Sequence, residues 1–229
     1  MMRGPALFLF LLAVLIPLPA QEEALRGELS IDLEPIFGFQ SGSGVDSNTT
    51  ITIDEKYPPV PEEARRRALD EAARLFGGMI YGWSFRYDVG EKARGIEERL
   101  ELIPLGTVAG DDPNMAVTDA AIGEGRLRLW FDYRTSAAQR RRLVMWKSGS
   151  LRSAQAWGRS PAGKFAALED AARAALRAVL RGSERNRPRE VRGAISLAAF
   201  PPFRNEKGQW AVPARFYVEI GAITPFAAY

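Results

Sequence analysis

The stretch GRLRLWFDYRTSAAQRRRLVMWKS, residues 125–148, decides the fold class of this chain. In its first half, Leu127, Leu129 and Phe131 alternate with arginine, tryptophan and aspartate, which is the period of a strand with one buried side and one solvent-facing side. After the polar segment TSAAQ, the run RRLVMWK again has residues typical of strands. The stretch therefore predicts an antiparallel hairpin whose outward face is rich in arginine.

This arginine-rich face is the predicted contact surface for a partner. By alternation, Trp130 lies on it between Arg128 and Asp132, and an aromatic side chain beside cations is typical of an interface anchor. The alternative is that a helix of the same chain covers this face. The predicted partner-binding residues are Arg126, Arg128, Trp130, Arg140 and Arg142.

The N-terminus predicts export. Arg3 is followed by an apolar run over residues 6–18 and then by Pro19, Ala20 and a polar segment, which is the pattern of a secretory signal peptide. We expect cleavage near Ala20, so that residues 1–20 are the signal peptide and residues 21–229 form a periplasmic or secreted domain. The apolar run is shorter than the roughly 20 residues that span a bilayer; a retained membrane anchor is the alternative.

The chain contains no cysteine and no histidine. Disulfides, thiolate metal sites, thiol nucleophiles and histidine-dependent catalytic triads are therefore excluded. These absences favour a protein without enzymatic activity and without a cofactor.

The net charge of +3 conceals a separation of charge along the chain. Residues 21–125 carry 10 Lys and Arg against 21 Asp and Glu, whereas residues 126–192 carry 17 against 5. Opposite charges attract over a Debye length of roughly 8 to 10 Å. The acidic half, residues 21–124, is therefore expected to fold against the basic half, residues 125–229, or to associate with it in a second copy. We expect no nucleic-acid partner, because an exported protein seldom meets nucleic acid.

Periodicity along the mature chain predicts two amphipathic helices and about eight strands. One helix begins at Pro61 and ends at Gly77 and Gly78, and the other runs from about residue 161 to residue 181 after an N-cap at Ser160. Besides the hairpin, strands are predicted at residues 28–39, 49–54, 79–89, 96–105, 191–200 and 210–220. Residues 106–124 are predicted to be irregular, and Pro213 to mark a sheet edge or an irregularity.

These elements predict an α+β domain, with antiparallel sheets and both helices packed on one face. The segments RALDEAARLF and AALEDAARAAL of the two helices match closely, and each precedes predicted paired strands. An internal duplication is therefore a possibility that the sequence leaves open.

Two motifs suggest chemistry. The segment GRSPAGK, residues 158–164, has the glycine and lysine spacing of a phosphate-binding loop, but Phe165 follows where Ser or Thr should hold magnesium, so we expect a helix-capping turn and no nucleotide. The carboxylates of a glycine-containing segment could bind calcium or act on a glycan, but their spacing fits no EF-hand loop, so a solvated acidic loop is the favoured interpretation. These carboxylates are Asp111, Asp112, Asp119 and Glu124.

The segment EEARRRALDEAARLF followed by GGMIYGWSF, about 25 residues, resembles the helix-then-strand unit of small bacterial envelope domains of the flagellar outer-membrane lipoprotein and assembly type. The resemblance implies an assembly role in the cell envelope and carries over no catalytic residues. The lipid-bearing cysteine of those proteins is missing here.

The sequence as a whole thus predicts an exported, non-enzymatic protein that binds a protein partner or an envelope component. A carboxylate-dependent hydrolase acting on envelope glycan is the alternative.

Overall fold

A computed structural model describes residues 24–33, 62–90, 95–148, 150–181 and 189–225. Its elements in chain order are β1 (Ala24–Asp32), α1 (Glu62–Ile80), β2 (Trp83–Asp88), β3 (Arg99–Pro104), β4 (Met115–Gly123), β5 (Arg126–Arg134), α2 (Ala137–Trp146), β6 (Arg152–Ser160), α3 (Lys164–Arg181), β7 (Arg189–Leu197), β8 (Arg204–Glu206) and β9 (Gln209–Pro225). The predicted leader and the predicted strand at residues 49–54 lie outside the described residues. None of the described helices is both long and apolar enough to cross a membrane.

The strands form two antiparallel sheets. Sheet A has the order β1-β5-β4, and sheet B has the order β3-β2-β7-β9-β6, with β8 paired to β9. The predicted α+β class with antiparallel sheets is therefore confirmed. The helices α1 and α3 are each followed by an antiparallel strand pair, β2 with β3 and β7 with β9. That these pairs arose by duplication stays a prediction.

The longest helices both lie against the inner face of sheet B. Helix α3 packs on β6 and β9, while α1 contacts β7 of sheet B and also β1 and β5 of sheet A. Helix α3 approaches β6 closely because residue 158 is glycine: a Cβ there would lie 1.9 Å from the carbonyl oxygen of Ala167. The inner faces of both sheets and both helices contribute to one hydrophobic core among the described residues.

Ion pairs join the acidic half of the chain to the basic half. Among the described residues they include Asp32–Arg126, Glu71–Lys164, Glu98–Arg177, Arg86–Glu190 and Arg26–Asp132. In three of these pairs the carboxylate lies in the acidic half and the cation in the basic half, whereas Arg86–Glu190 and Arg26–Asp132 have the opposite arrangement. That the acidic half as a whole folds against the basic half stays a prediction. Self-association through opposite-charge faces stays a prediction.

The predicted second strand of the hairpin is wrong. The segment that contains Arg140 and Arg142 forms helix α2. The side chain of Ser136 accepts a hydrogen bond from the Gln139 N–H at 3.2 Å, and the Gln139 side chain accepts one from the Ser136 N–H at 2.8 Å. This reciprocal capping box satisfies two amide groups at the helix start. The basic hairpin therefore does not form, and the chain has three described helices instead of two.

The predicted end of the first helix is also wrong. Helix α1 continues through Gly77 and Gly78 to Ile80. A Cβ at Gly78 would lie 2.0 Å from the ring of Trp83. Close packing of the helix on that ring, and not a left-handed cap, explains this glycine.

Three strands are missing from the sequence prediction: β4, β6 and the short β8. Strand β4 lies within residues 106–124, which were expected to be irregular, and β6 immediately precedes α3. Ser160 ends β6, and α3 begins at Lys164, so the predicted N-cap at Ser160 is wrong. Of the two predictions at Pro213, an edge or an irregularity, the structure shows a local edge. Pairing of β9 with β6 continues through Pro213, while on the other side β9 pairs with β8 as far as Ala211 and with β7 only from Phe216 onward.

Candidate functional site

Trp130 lies on the outer face of sheet A between two carboxylate side chains. Its cross-strand partners are Glu28 of β1 and Asp119 of β4. Neighbouring strands lie about 4.8 Å apart, so the backbones of Glu28 and Asp119 are separated by roughly 10 Å, with Trp130 between them. An indole flanked by two carboxylates is an arrangement that attracts cations, through its ring face and through charge.

These three residues line an open groove of about 640 Å³. Arg26 and Asp132 also line it and form an ion pair at 3.4 Å. The wall beside β1 is the segment of residues 200–202, between β7 and β8. The groove therefore carries three carboxylates against one guanidinium, and its lining is acidic where the sequence predicts a basic face.

A β-bulge in β4 places Asp119 beside Trp130. The register between β4 and β5 shifts between Val117 and Asp119, so that Thr118 is the extra residue. The Thr118 hydroxyl donates a hydrogen bond to the Trp130 carbonyl oxygen at 3.4 Å, and Asp119 Oδ1 accepts one from the Ala120 N–H at 2.8 Å. Without the bulge, Thr118 would stand opposite Trp130. The acidic side of the groove therefore depends on one inserted residue.

The wall of the groove is held in place by aromatic packing. The Phe200 ring sits directly over Gly27, where a Cβ would lie 2.3 Å from a ring atom. The same ring lies 5.2 Å from the Phe76 ring of α1, centroid to centroid. Only glycine leaves room for this contact, so the segment of residues 200–202 is fixed against the edge of sheet A.

The structure brings together three of the five predicted partner-binding residues. Arg126, Arg128 and Trp130 share the outer face of β5, and Arg126 Nε lies 2.9 Å from Asp32 Oδ1. Arg140 and Arg142 lie on α2, where an Arg140 NH group donates to the Thr135 carbonyl at 2.7 Å. The predicted surface is therefore divided between sheet A and α2.

Sequence reasoning missed the acidic members of the groove. In the segment ELSID, Glu28 alternates with Leu29 and Ile31, so the sequence predicts that the Glu28 side chain faces outward. The sequence does not predict that Glu28 lies beside Trp130, because this position depends on the pairing of β1 with a strand about 100 residues away. The bulge that brings in Asp119 has no local sequence signal either.

Three of the four carboxylates considered for calcium or glycan chemistry do not converge, and the fourth, Asp111, is adjacent to Asp112 in the chain. Asp112 precedes β4, Asp119 lies in its middle, and Glu124 follows its end, in a turn where its φ is 54°. Nine strand residues extend over about 30 Å, which is far beyond the separation of a catalytic carboxylate pair. Among the described residues, no three His, Cys, Asp or Glu side chains are grouped so that they could hold a metal ion.

Asp112 has a structural role. It accepts a hydrogen bond from the Tyr133 hydroxyl at 2.9 Å and one from the Asn114 N–H at 2.9 Å. Burial acts to raise the pKa of Asp112, but these hydrogen bonds outweigh it and hold the pKa below its ordinary value. Burial, reinforced by the bond to Asp112, raises the pKa of Tyr133. The pair ties the start of β4 to the end of β5.

Lys164, the lysine of the GRSPAGK segment, is buried. Its ammonium group donates to the Ser30 carbonyl at 2.6 Å and to Glu71 Oε2 at 2.6 Å. Burial lowers the pKa of Lys164, and the charge of Glu71 opposes that shift. This lysine therefore joins α3 to α1 and to β1 and is not presented to a phosphate.

Residues 15–226 match a protein-family model. An uncharacterised protein of Treponema pallidum (strain Nichols) is 26% identical to this chain over 214 residues, which cover 91% of the chain and 87% of that protein. No solved structure matches the chain. The resemblance of residues 62–85 to flagellar lipoprotein domains stays a prediction, since neither match carries that description.

Proposed function

The chain belongs to the family whose model matches residues 15–226, and we propose that it is an exported, non-enzymatic protein of the bacterial cell envelope. In this proposal it binds a protein partner or another envelope component through the groove around Trp130. The observation that carries the proposal is the placement of Trp130 between Glu28 and Asp119 in an open groove.

The groove has the features of a preformed contact site. Its indole and carboxylates stand on paired strands, so little conformational entropy is lost when a partner orders them. Aromatic residues at the centre of an interface commonly supply much of its binding free energy. The acidic lining suits a partner segment that presents Lys or Arg side chains, with one cation over the indole and its neighbours beside Glu28 and Asp119.

The leader supports the location in this proposal. A cationic start, an apolar run too short to span a bilayer comfortably and Ala20 before a polar segment fit an exported precursor. The absence of cysteine means that the folded domain needs no disulfides to form outside the cytosol.

Site-specific photocrosslinking in cells tests the proposal. A photo-crosslinking amino acid replaces Glu28 in the groove or, as the matched control, Gln155 on the exposed outer face of sheet B. We expect a discrete crosslinked product at position 28, none of the same size at position 155, and its loss when Trp130→Ala is added.

The same cells supply the test of export. N-terminal sequencing is expected to show that the protein in the exported fraction begins near Gln21. An intact N-terminus confined to the cytoplasm, or identical crosslinks from positions 28 and 155, would contradict the proposal.

A further inference from the structure

Helix α2 presents an apolar pair to solvent. Val144 and Met145 are each 68% exposed, whereas Trp146 is buried and Leu143 packs against the core. Arg141 lies three residues before Val144 and four before Met145, so all three share the outward side of the helix. The inward side is formed by Gln139, Leu143 and Trp146.

The orientation of α2 is fixed from the inside. Trp146 Nε1 donates to the Ile80 carbonyl at 3.1 Å, and Gln139 Nε2 donates to the hydroxyls of Tyr133 and Tyr81 at 2.9 and 3.1 Å. The capping box fixes the first turn. These contacts hold Val144 and Met145 on the side of α2 that faces away from the described part of the chain.

The chain segment that contains α2 carries cations and no carboxylates. The sequence contains no Asp or Glu between Asp132 and Glu169, and its cations there are Arg134, Arg140, Arg141, Arg142, Lys147, Arg152, Arg159 and Lys164. No described carboxylate forms an ion pair with Arg141, Arg142 or Lys147. Val144 and Met145 thus have three exposed cations on their own helix and its C-cap, Arg141, Arg142 and Lys147, none of which is ion-paired within the described part of the chain. The Arg142 guanidinium also lies over the Tyr81 ring, 5.8 Å from its centroid.

We propose that α2 docks the protein on an anionic lipid surface. Val144 and Met145 enter the boundary between headgroups and acyl chains, while Arg141, Arg142 and Lys147 bind lipid phosphates. Exposed apolar side chains with cations beside them are suited to attachment at a membrane interface, and a cluster of Lys and Arg is attracted by anionic lipids.

The charge complementarity and the apolar pair together favour lipid over a soluble polyanion. A polyanion such as polyphosphate would be bound by the arginines alone and would leave Val144 and Met145 in water. Since the apolar contact is small, the attachment is expected to be reversible and sensitive to salt. It involves a different surface from the groove around Trp130 and does not depend on it.

Vesicle cosedimentation with the protein purified from the exported fraction tests this inference. The probes are vesicles of phosphatidylglycerol and phosphatidylcholine in equal parts and vesicles of phosphatidylcholine alone. We expect binding to the anionic vesicles at low salt, with an affinity about tenfold lower for Arg141→Glu with Arg142→Glu, since each basic residue near the surface contributes on the order of a few-fold to tenfold. Val144→Ser with Met145→Ser should weaken binding severalfold.

Matched controls separate α2 from general charge and general hydrophobicity. Arg65→Glu with Arg66→Glu changes two exposed arginines of α1, and Ile103→Ser removes an exposed apolar side chain of β3. Near-UV circular dichroism reports whether each variant keeps its aromatic packing. The proposal would be overturned if the folded α2 variants bound anionic vesicles as well as the natural chain, or if the control variants lost as much affinity as the α2 variants. It would also be overturned if Val144→Ser with Met145→Ser kept its full affinity and polyphosphate competed completely with the vesicles.

Discussion

At the scale of single residues, Lys164 shows that a lysine with the spacing of a binding motif has a structural role when it is buried. In GRSPAGK the lysine has the spacing of a phosphate ligand, yet it is 7% exposed and pairs with Glu71, which stands 93 positions earlier in the chain. A buried ion pair is costly to break, because the remaining charge keeps its desolvation penalty without its partner. The stability of the region where α1, α3 and β1 meet should therefore depend on both members.

We expect Lys164→Met to lower the free energy of unfolding by about 3 kcal/mol, because Glu71 loses its buried cation and Ser30 loses a donor to its carbonyl. Glu71 then keeps only its ion pair with the exposed Arg67, at 3.3 Å. Urea denaturation measures the change. Lys147→Met, at an exposed lysine, is the matched control and should change stability by less than about 0.5 kcal/mol. Adding Glu71→Leu to Lys164→Met should recover much of the loss; equal effects at positions 147 and 164 would contradict this assignment.

The candidate site divides sharply into residues that alternation predicts and residues that it does not. Leu127, Leu129 and Phe131 face the core, so alternation places Trp130 on the opposite, outer face of β5. The structure confirms this orientation. The partners of Trp130 depend on strand register over about 100 residues and on a bulge at Thr118. Neither is encoded in the local sequence pattern, so the acidic character of the groove could not be foreseen.

At the scale of elements, α2 shows where local patterns mislead. The seven residues RRLVMWK contain enough β-favouring side chains to suggest a strand, and a segment so short does not distinguish a strand from a helix by its period. The deciding signal stands just before it, where Ser136 and Gln139 have the spacing of a capping box. In contrast, β9 is long, and four of its six alternating apolar positions are buried, namely Val212, Ala214, Phe216 and Val218. Trp210 and Ile220, at the two ends of the predicted strand, are half-buried.

A second link between elements runs from the β2–β3 hairpin to α3. Glu98, just before β3, accepts hydrogen bonds from Arg177 of α3 and from the Tyr87 hydroxyl of β2. The hydrogen bonds from Arg177 lower the pKa of Glu98, although burial opposes the shift. Burial and the neighbouring carboxylate raise the pKa of Tyr87. The three side chains thus hold the hairpin against the helix most strongly while Glu98 is ionised.

This link predicts a stability contribution that depends on pH. Because the pKa of Glu98 is lowered in the folded state, its contribution is fully present above the ordinary value of 4.5 and is lost as the pH falls through the folded pKa. The difference in free energy of unfolding between the natural chain and Glu98→Gln should therefore shrink between pH 6 and pH 3. Denaturant titrations at several pH values measure it, and Glu101→Gln on the exposed side of β3 is the control. A difference that stays constant with pH would contradict the role of Glu98.

At the scale of the whole molecule, the fold class was predictable because two kinds of periodicity occur in separate segments. Two alanine-rich helices with apolar stripes and several alternating strands can bury their apolar sides only as helices on an antiparallel sheet. The division into two sheets was not predictable, since it depends on β1 pairing with β5 and not with its neighbours in sequence. The separation of charge along the chain is partly used within the molecule, where it pairs Glu71 with Lys164 and Asp32 with Arg126.

The two sheets are joined beside the groove by the contact of Phe200 with Gly27, and this contact gives the last prediction. A methyl group at residue 27 would lie 2.3 Å from the Phe200 ring, so Gly27→Ala must displace the segment of residues 200–202 from β1 and from Phe76. Overpacking of this kind costs about 1 to 3 kcal/mol in the free energy of unfolding. The wall of the groove is displaced at the same time, so the crosslink from position 28 should weaken as stability falls.

A compensating change separates sterics from any general effect of alanine. Phe200→Leu removes part of the ring that meets the new methyl group, so Gly27→Ala with Phe200→Leu should be more stable than the sum of the two single changes implies. Denaturant titrations of the four proteins of this double-mutant cycle measure the coupling. The control is Gly123→Ala at the end of β4, where a Cβ meets no atom within 4 Å. Additive changes at positions 27 and 200 would show that the ring does not hold the two sheets together.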